Sequence, residues 1–125
     1  GTEFDFLNGK SISKLYSELG EDGIDHNFVL NKETGKLSLA AVLSHEPTGR
    51  KLEVYTTQNC LQVYTAKHFK FQKMTNKDGS LLKPFDAIAL EAQNFPDAPN
   101  QNFFSDAILF PGEAYHHKII YKFIF

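Results

Sequence analysis

The chain has 125 residues, 42% of them apolar and 22% charged, with a formal net charge of −2. Such a composition is neither that of a disordered chain nor that of a membrane span, and the length suits one buried core, hence one domain or part of one. The near-neutral balance argues against nucleic-acid phosphates and anionic membrane surfaces as partners, since either favours a basic patch. The densest basic stretch, Lys67 to Lys77, is diluted by phenylalanines and closes at Asp78, so it reads as a solvated face.

In chain order, the sequence opens on Gly1-Thr2-Glu3-Phe4-Asp5-Phe6 without an initiating methionine, as if cut from something longer. The pattern supports a single short helical turn, near Ser13 to Leu19. Beyond it the dominant period is two, the signature of strands. A polar triplet, Asp25-His26-Asn27, stands immediately before the apolar run Phe28-Val29-Leu30. Leu37, Leu39, Ala41 and Leu43 fall on one face of the next stretch. Leu52, Val54 and Thr56 share a face of another, and Leu61, Val63 and Thr65 share a face of a fourth. Asn31 to Gly35 and Glu46-Pro47-Thr48-Gly49 each separate two strands at hairpin distance. Asn76 to Ser80 is a polar loop, and Pro111-Gly112-Glu113 is a turn before the final strand.

That final stretch alternates Tyr115, His117, Ile119, Tyr121, Phe123 and Phe125 with His116, Lys118, Ile120, Lys122 and Ile124. Apolar groups on both of its faces predict a central strand covered on both sides. The few short strands of this chain barely provide two covering layers, which hints at further sheet upstream. The predicted class is all-β and sandwich-like, with no internal repeat.

Cys60 is the lone cysteine, so no intramolecular disulfide is possible. With no run long enough to span a bilayer and no signal peptide at the start, a soluble cytoplasmic protein is the expectation. Metal binding is not expected: His116 and His117 are neighbours on a strand and point to opposite faces, and no Cys/His spacing matches a zinc site. No phosphate-cradling glycine loop, nucleophile elbow or Ser–His–Asp order is present. These absences favour chemistry without a cofactor or covalent intermediate.

The stretch Ala87-Ile88-Ala89-Leu90-Glu91-Ala92-Gln93 is the most informative. Alternation puts Glu91 on the face shared by Ala87, Ala89 and Gln93, where small neighbours leave room beside the carboxylate. It is either a Glu on the solvent face of an amphipathic strand or a carboxylate held on a rigid element for acid–base work. The Pro- and Asn-rich segment from Phe95 to Phe104 follows it. Its three phenylalanines, at 95, 103 and 104, favour a loop pinned for function over a disordered one. Asp25 is either a turn residue bonding its own backbone or, with His26, a group pointing into a sugar site. Gln62, sharing a strand face with Cys60 and Tyr64, is either a surface amide or a sugar contact.

Several strings resemble the aldose 1-epimerase (galactose mutarotase) family, in the family's order and spacing from end to end. They are Gly1 to Phe6, Asp25-His26-Asn27-Phe28, Leu52-Glu53-Val54-Tyr55-Thr56-Thr57-Gln58, Leu61-Gln62-Val63-Tyr64-Thr65, Leu90 to Gln101, Leu109 to Glu113 and Tyr121-Lys122-Phe123. The resemblance implies that residues 1–125 are the C-terminal portion of a single domain, a large twisted antiparallel β-sandwich whose upstream part packs against them. It implies a monosaccharide substrate and interconversion of the α and β anomers of aldohexoses such as glucose or galactose, without a cofactor. Glu91 matches the family's general base, and Asp25 and Gln62 match positions that bind sugar hydroxyls. The general acid is a histidine in an upstream motif that none of His26, His45, His68, His116 and His117 occupies, so these 125 residues alone are expected to be inactive.

This chain departs from the family pattern at Asn59-Cys60, usually Pro-Gly, at Ala66-Lys67, usually Gly-Asn, and at Lys83 to Ala87, where a basic residue and a Gly are common. A non-catalytic sugar-binding or regulatory relative is the alternative that these departures leave open.

Overall fold

The computed structural model describes residues 2–71, 73–104 and 107–125. Strands dominate, as the period of two predicts. In order they are β1 (Asp25–Val29), β2 (Ser38–His45), β3 (Arg50–Thr56), β4 (Cys60–Tyr64), β5 (Ala89–Gln93) and β6 (Ile119–Ile124), with one α-helix, α1 (Ile12–Leu19). They form two three-stranded sheets, ordered β1-β4-β5 and β2-β3-β6. The chain divides into two compact units, Gly1–His26 with Val63–Ala89, and Asn27–Gln62 with Leu90–Phe125.

In the first unit, α1 starts where the Ser11 hydroxyl accepts a hydrogen bond from the Lys14 amide at 3.1 Å. This occupies one of the amides that a helix start leaves free. The helix buries Leu15 completely. Ile24 and Thr65 lock together nearby: the Ile24 amide donates to Thr65 Oγ1 at 2.9 Å, while the Thr65 amide and hydroxyl both donate to the Ile24 carbonyl. Gly23 closes against this pair at φ 56 and ψ −152, a conformation open essentially to glycine alone. A Cβ on Gly23 would come within 2.5 Å of Thr65 Oγ1 and 2.8 Å of the Phe85 ring. That ring in turn packs on Tyr16 of α1 with centroids 4.5 Å apart.

The second unit is organised by β3. It pairs antiparallel with β2 along one edge and with β6 along the other. Its inward face carries Val54 and Thr56, both fully buried. The β2–β3 hairpin turns where the sequence predicts, through Glu46-Pro47-Thr48, with Gly49 in the left-handed region at φ 70. Asn31 to Gly35 is not a second hairpin. It carries the chain from β1 in one sheet to β2 in the other.

Two further expectations are corrected. The pairing of β2 shifts between Leu39, opposite Tyr55, and Ala41, opposite Val54, which leaves Ala40 without a partner. Tyr55 and Val54 point to opposite faces of β3, so Leu39 and Ala41 do not share a face as simple alternation predicts. Leu39 is accordingly half-exposed while Ala41 is partly covered. The last strand is shorter than its alternating sequence, starting at Ile119, and it is not central. Among the described strands β6 pairs with β3 alone, and Ile119, Ile120, Tyr121 and Phe123 are 40–63% exposed. Its apolar residues match a buried strand, but among the described strands none lies along its other edge.

On the outward face of β3, Glu53 accepts from the Tyr55 hydroxyl at 2.9 Å and from Lys122 Nζ on β6 at 3.1 Å. The Tyr55 hydrogen bond and then Lys122 hold the Glu53 carboxyl below the usual carboxylate range, and Glu53 in turn raises Tyr55 and Lys122.

Two stability predictions follow from these contacts, both for the full-length protein. Gly23→Ala is expected to destabilise by about 2–4 kcal/mol, through left-handed strain and overpacking against Thr65 and Phe85. A urea midpoint unchanged from the parent would show that the Gly23 closure is not strained. The lowered pKa of Glu53 stabilises the fold above the ordinary carboxylate value, and that contribution disappears as pH falls through its folded value. Thermal melts between pH 6 and pH 3 are therefore expected to show a steeper acid loss in the parent than in Glu53→Gln.

Candidate functional site

Each of the three residues singled out from the sequence lies on a different strand of one sheet. Asp25 is the first residue of β1, Gln62 is the middle residue of β4, and Glu91 is the middle residue of β5. Asp25 belongs to the first unit, where it is exposed and its amide donates to His26 Nδ1 at 3.2 Å. It is a strand residue, not the turn residue that the bare pattern allows. Gln62 and Glu91 belong together in the second unit, on neighbouring strands.

Gln62 is half-buried between Leu61, which is buried, and Val63. Glu91 is the one exposed residue of β5, flanked by partly covered Leu90 and Ala92. Among the described residues its carboxylate has no hydrogen bond or ion pair, so its lone pairs are not taken up by any of them. A carboxylate without partners is positioned by its backbone alone.

That backbone is held on both sides of Glu91. Before it, the Leu90 carbonyl accepts from the Tyr121 hydroxyl at 2.8 Å. After it, Gln93 Nε2 donates to Asn27 Oδ1 on β1 at 3.3 Å, and Asn59 Nδ2 lies 3.5 Å from Asn94 Oδ1. The connection that follows is pinned, as its aromatic anchors suggest. Phe95 stacks on Phe104 with centroids 4.4 Å apart and an interplanar angle of 10°, and Phe103 meets Phe104 edge-on. Between them a 3-10 turn spans Ala98–Asn100 and buries Ala98.

Asp97 is the clamp of this turn. It sits in the left-handed region at φ 59, and its two carboxylate oxygens accept from the side-chain amides of Asn100 and Gln101. The Asn100 bond, then the Gln101 bond, hold its carboxyl below the ordinary range. Sequence reasoning missed Asp97, although a carboxylate three and four residues ahead of two amides is the signal that could have found it. Asn27 and Tyr121 were missed as well, because their partners lie 66 and 31 residues away in sequence.

The described residues contain no group of three His, Cys, Asp or Glu side chains that could hold a metal ion. They contain no helix long and apolar enough to cross a membrane.

Two three-stranded sheets with little helix among the described residues define an all-β protein of the galactose mutarotase-like class. The aldose 1-epimerase family profile matches residues 1–122, so the chain belongs to the aldose 1-epimerase family. It is 38% identical over 123 residues to the galactose mutarotase of Mus musculus, covering 98% of this chain and 35% of that protein. To the aldose 1-epimerase of Haemophilus influenzae it is 40% identical over 103 residues, covering 79% of this chain and 29% of that one. The crystal structure of an aldose epimerase homologue from C. elegans superposes with a TM-score of 0.78 at 31% identity, over 98% of this chain and 37% of that chain. The chain thus spans about a third of the length of the relatives it matches.

Asp97→Ala is expected to release the 3-10 turn while leaving the core untouched. In the full-length protein, amide hydrogen exchange over residues 98–101 should quicken by at least about tenfold, as local opening becomes easier, with the midpoint of thermal unfolding shifted by no more than a few degrees. Unchanged exchange there would remove Asp97 from the role of clamp.

Proposed function

We propose that this chain forms the C-terminal portion of a single mutarotase-like domain that interconverts the α and β anomers of aldohexoses such as glucose or galactose, with Glu91 as the general base. One observation carries the reading: among the described residues Glu91 is an exposed carboxylate without a partner, at the centre of a strand tied down on both sides. Such a carboxylate, held on a strand, is free to accept a proton from a bound hydroxyl.

The chemistry needs little more than placed proton donors and acceptors. Glu91 takes the proton of the anomeric hydroxyl, and the electron pair of that O–H bond forms the C1 carbonyl. The bond from C1 to the ring oxygen breaks, and its pair goes to the ring oxygen, which takes a proton from a general acid. Half a turn about the C1–C2 bond presents the other face of the aldehyde. Reclosure with the proton movements reversed gives the other anomer. Atoms and charge balance without metal, cofactor or co-reactant.

Gln62, on the strand beside Glu91, and Asp25 are assigned to sugar hydroxyls. An amide donates and accepts, and a carboxylate accepts from two neighbouring hydroxyls at once, which suits a polyol ligand. The acid is assigned to a histidine outside these 125 residues. The same remainder of the domain is assigned to the open edge and exposed apolar side chains of β6, in keeping with relatives about three times as long.

Polarimetry of α-D-glucose and α-D-galactose with the full-length protein tests this. The parent is expected to accelerate the approach to anomeric equilibrium, and Glu91→Gln to lower kcat by about 10²–10⁴-fold, the usual span of a positioned acid–base group. A parent no faster than buffer, yet binding either sugar in calorimetry, would replace the enzyme by a non-catalytic sugar-binding relative. A Gln variant as fast as the parent would remove Glu91 from the role of base.

A further inference from the structure

The geometry points to Tyr121 as a positioning residue for Glu91, acting through the peptide that joins Leu90 to Glu91; this rests on the reading of Glu91 as the base. Tyr121 lies on β6, directly across β3 from Val54, which is fully buried. From that sheet its hydroxyl reaches the other one and donates to the Leu90 carbonyl at 2.8 Å, a good O–H···O length. The peptide between Leu90 and Glu91 is planar, so the Leu90 carbonyl and the Glu91 amide share one rigid plane. Holding its oxygen fixes the direction in which the chain enters the Glu91 Cα, and with it the direction of the Glu91 side chain.

Three further observations make this more than an incidental contact. The Glu91 carboxylate has no hydrogen bond or ion pair among the described residues, so within them its direction is set by the backbone that carries it. Among the described strands β5 pairs with β4 alone. Tyr121, by contrast, is firmly placed. β6 runs in register with β3 from Lys51 opposite Ile124 to Thr56 opposite Ile119. That pairing is prolonged by the Thr57 amide donating to the Lys118 carbonyl at 3.0 Å and the Lys118 amide donating to Thr57 Oγ1 at 2.9 Å. A well-anchored donor thus holds β5 at the peptide where a base needs to be aimed. A shift of the carboxylate by a fraction of an ångström weakens proton transfer in the transition state more than it weakens sugar binding.

Tyr121→Phe keeps the ring and deletes only the hydroxyl donor, so it tests the hydrogen bond without opening a cavity. In the full-length protein, assayed by polarimetry beside Glu91→Gln, Tyr121→Phe is expected to lower kcat about 3- to 10-fold, the range of one lost hydrogen bond, with KM within about twofold of the parent. Hydrogen exchange at the Glu91 and Ala92 amides should quicken, while the thermal midpoint stays within a few degrees of the parent. A parental kcat in Tyr121→Phe, with Glu91→Gln inactive, overturns the role of Tyr121 and leaves Glu91 as base. A raised KM at parental kcat also overturns it, making Tyr121 a binding group. If Glu91→Gln keeps the parental rate, the base assignment fails and the positioning role fails with it.

Discussion

Strand β3 is joined to a neighbour on each edge, and the second unit depends on that double pairing. Every amide and carbonyl of a buried strand has to find a partner, because leaving one unpaired in an apolar surrounding costs about as much as the hydrogen bond itself. With β2 on one side and β6 on the other, β3 meets this requirement and can bury Val54 and Thr56 completely. Burying a side chain the size of Val54 is worth about 1.5–3 kcal/mol. The charged outer face then needs only the surface arrangement of Glu53, Tyr55 and Lys122, in which the Lys stands directly across from the Glu.

The candidate site inherits its order from that foundation. β6 is held by β3, Tyr121 is held by β6, and the Leu90 carbonyl is held by Tyr121. On the other side of Glu91, side-chain amides take over, with Gln93 tied to Asn27 and Asn94 close to Asn59. The Glu91 carboxylate itself has no partner among the described residues. This division suits a general base: the scaffold absorbs the hydrogen-bonding capacity of the backbone, and the carboxylate keeps its own for a ligand. The clamp at Asp97 extends the same order into the connection, with a carboxylate spent on structure only six positions beyond the one left open.

Local signals were legible in the sequence and long-range ones were not. The helix after Ser11, the hairpin at Glu46 to Gly49 and the strand around Glu91 each follow from neighbours within a few residues: a cap, a turn chemistry, an alternation. The irregularity at Ala40 left no mark, because Leu39, Ala40 and Ala41 are all apolar and either parity fits. The crossover at Asn31 to Gly35 has the composition of a hairpin turn, and composition does not say which sheet the next strand joins. The exposure of β6 was misjudged for a related reason: its residues record a preference for burial, whereas burial depends on what lies beside the strand. Resemblance to a family supplied the roles of Asp25, Gln62 and Glu91, and periodicity alone left each with a bland reading. Tyr121 and Asn27 lay beyond both, since a hydrogen bond spanning 31 or 66 residues has no local trace.

The unpaired Ala40 also bears on how this segment can change in length. On either side of it the register of β2 with β3 is regular, Leu39 against Tyr55 and Ala41 against Val54. Those two partners are consecutive on β3, so excising Ala40 would close the ladder without moving any other pair. Removing another residue from the interior of β2 would instead slip one end of the strand by one place and turn its side chains to the wrong face. The irregularity is therefore the point within β2 at which a single-residue deletion can be absorbed with the rest of the ladder in place.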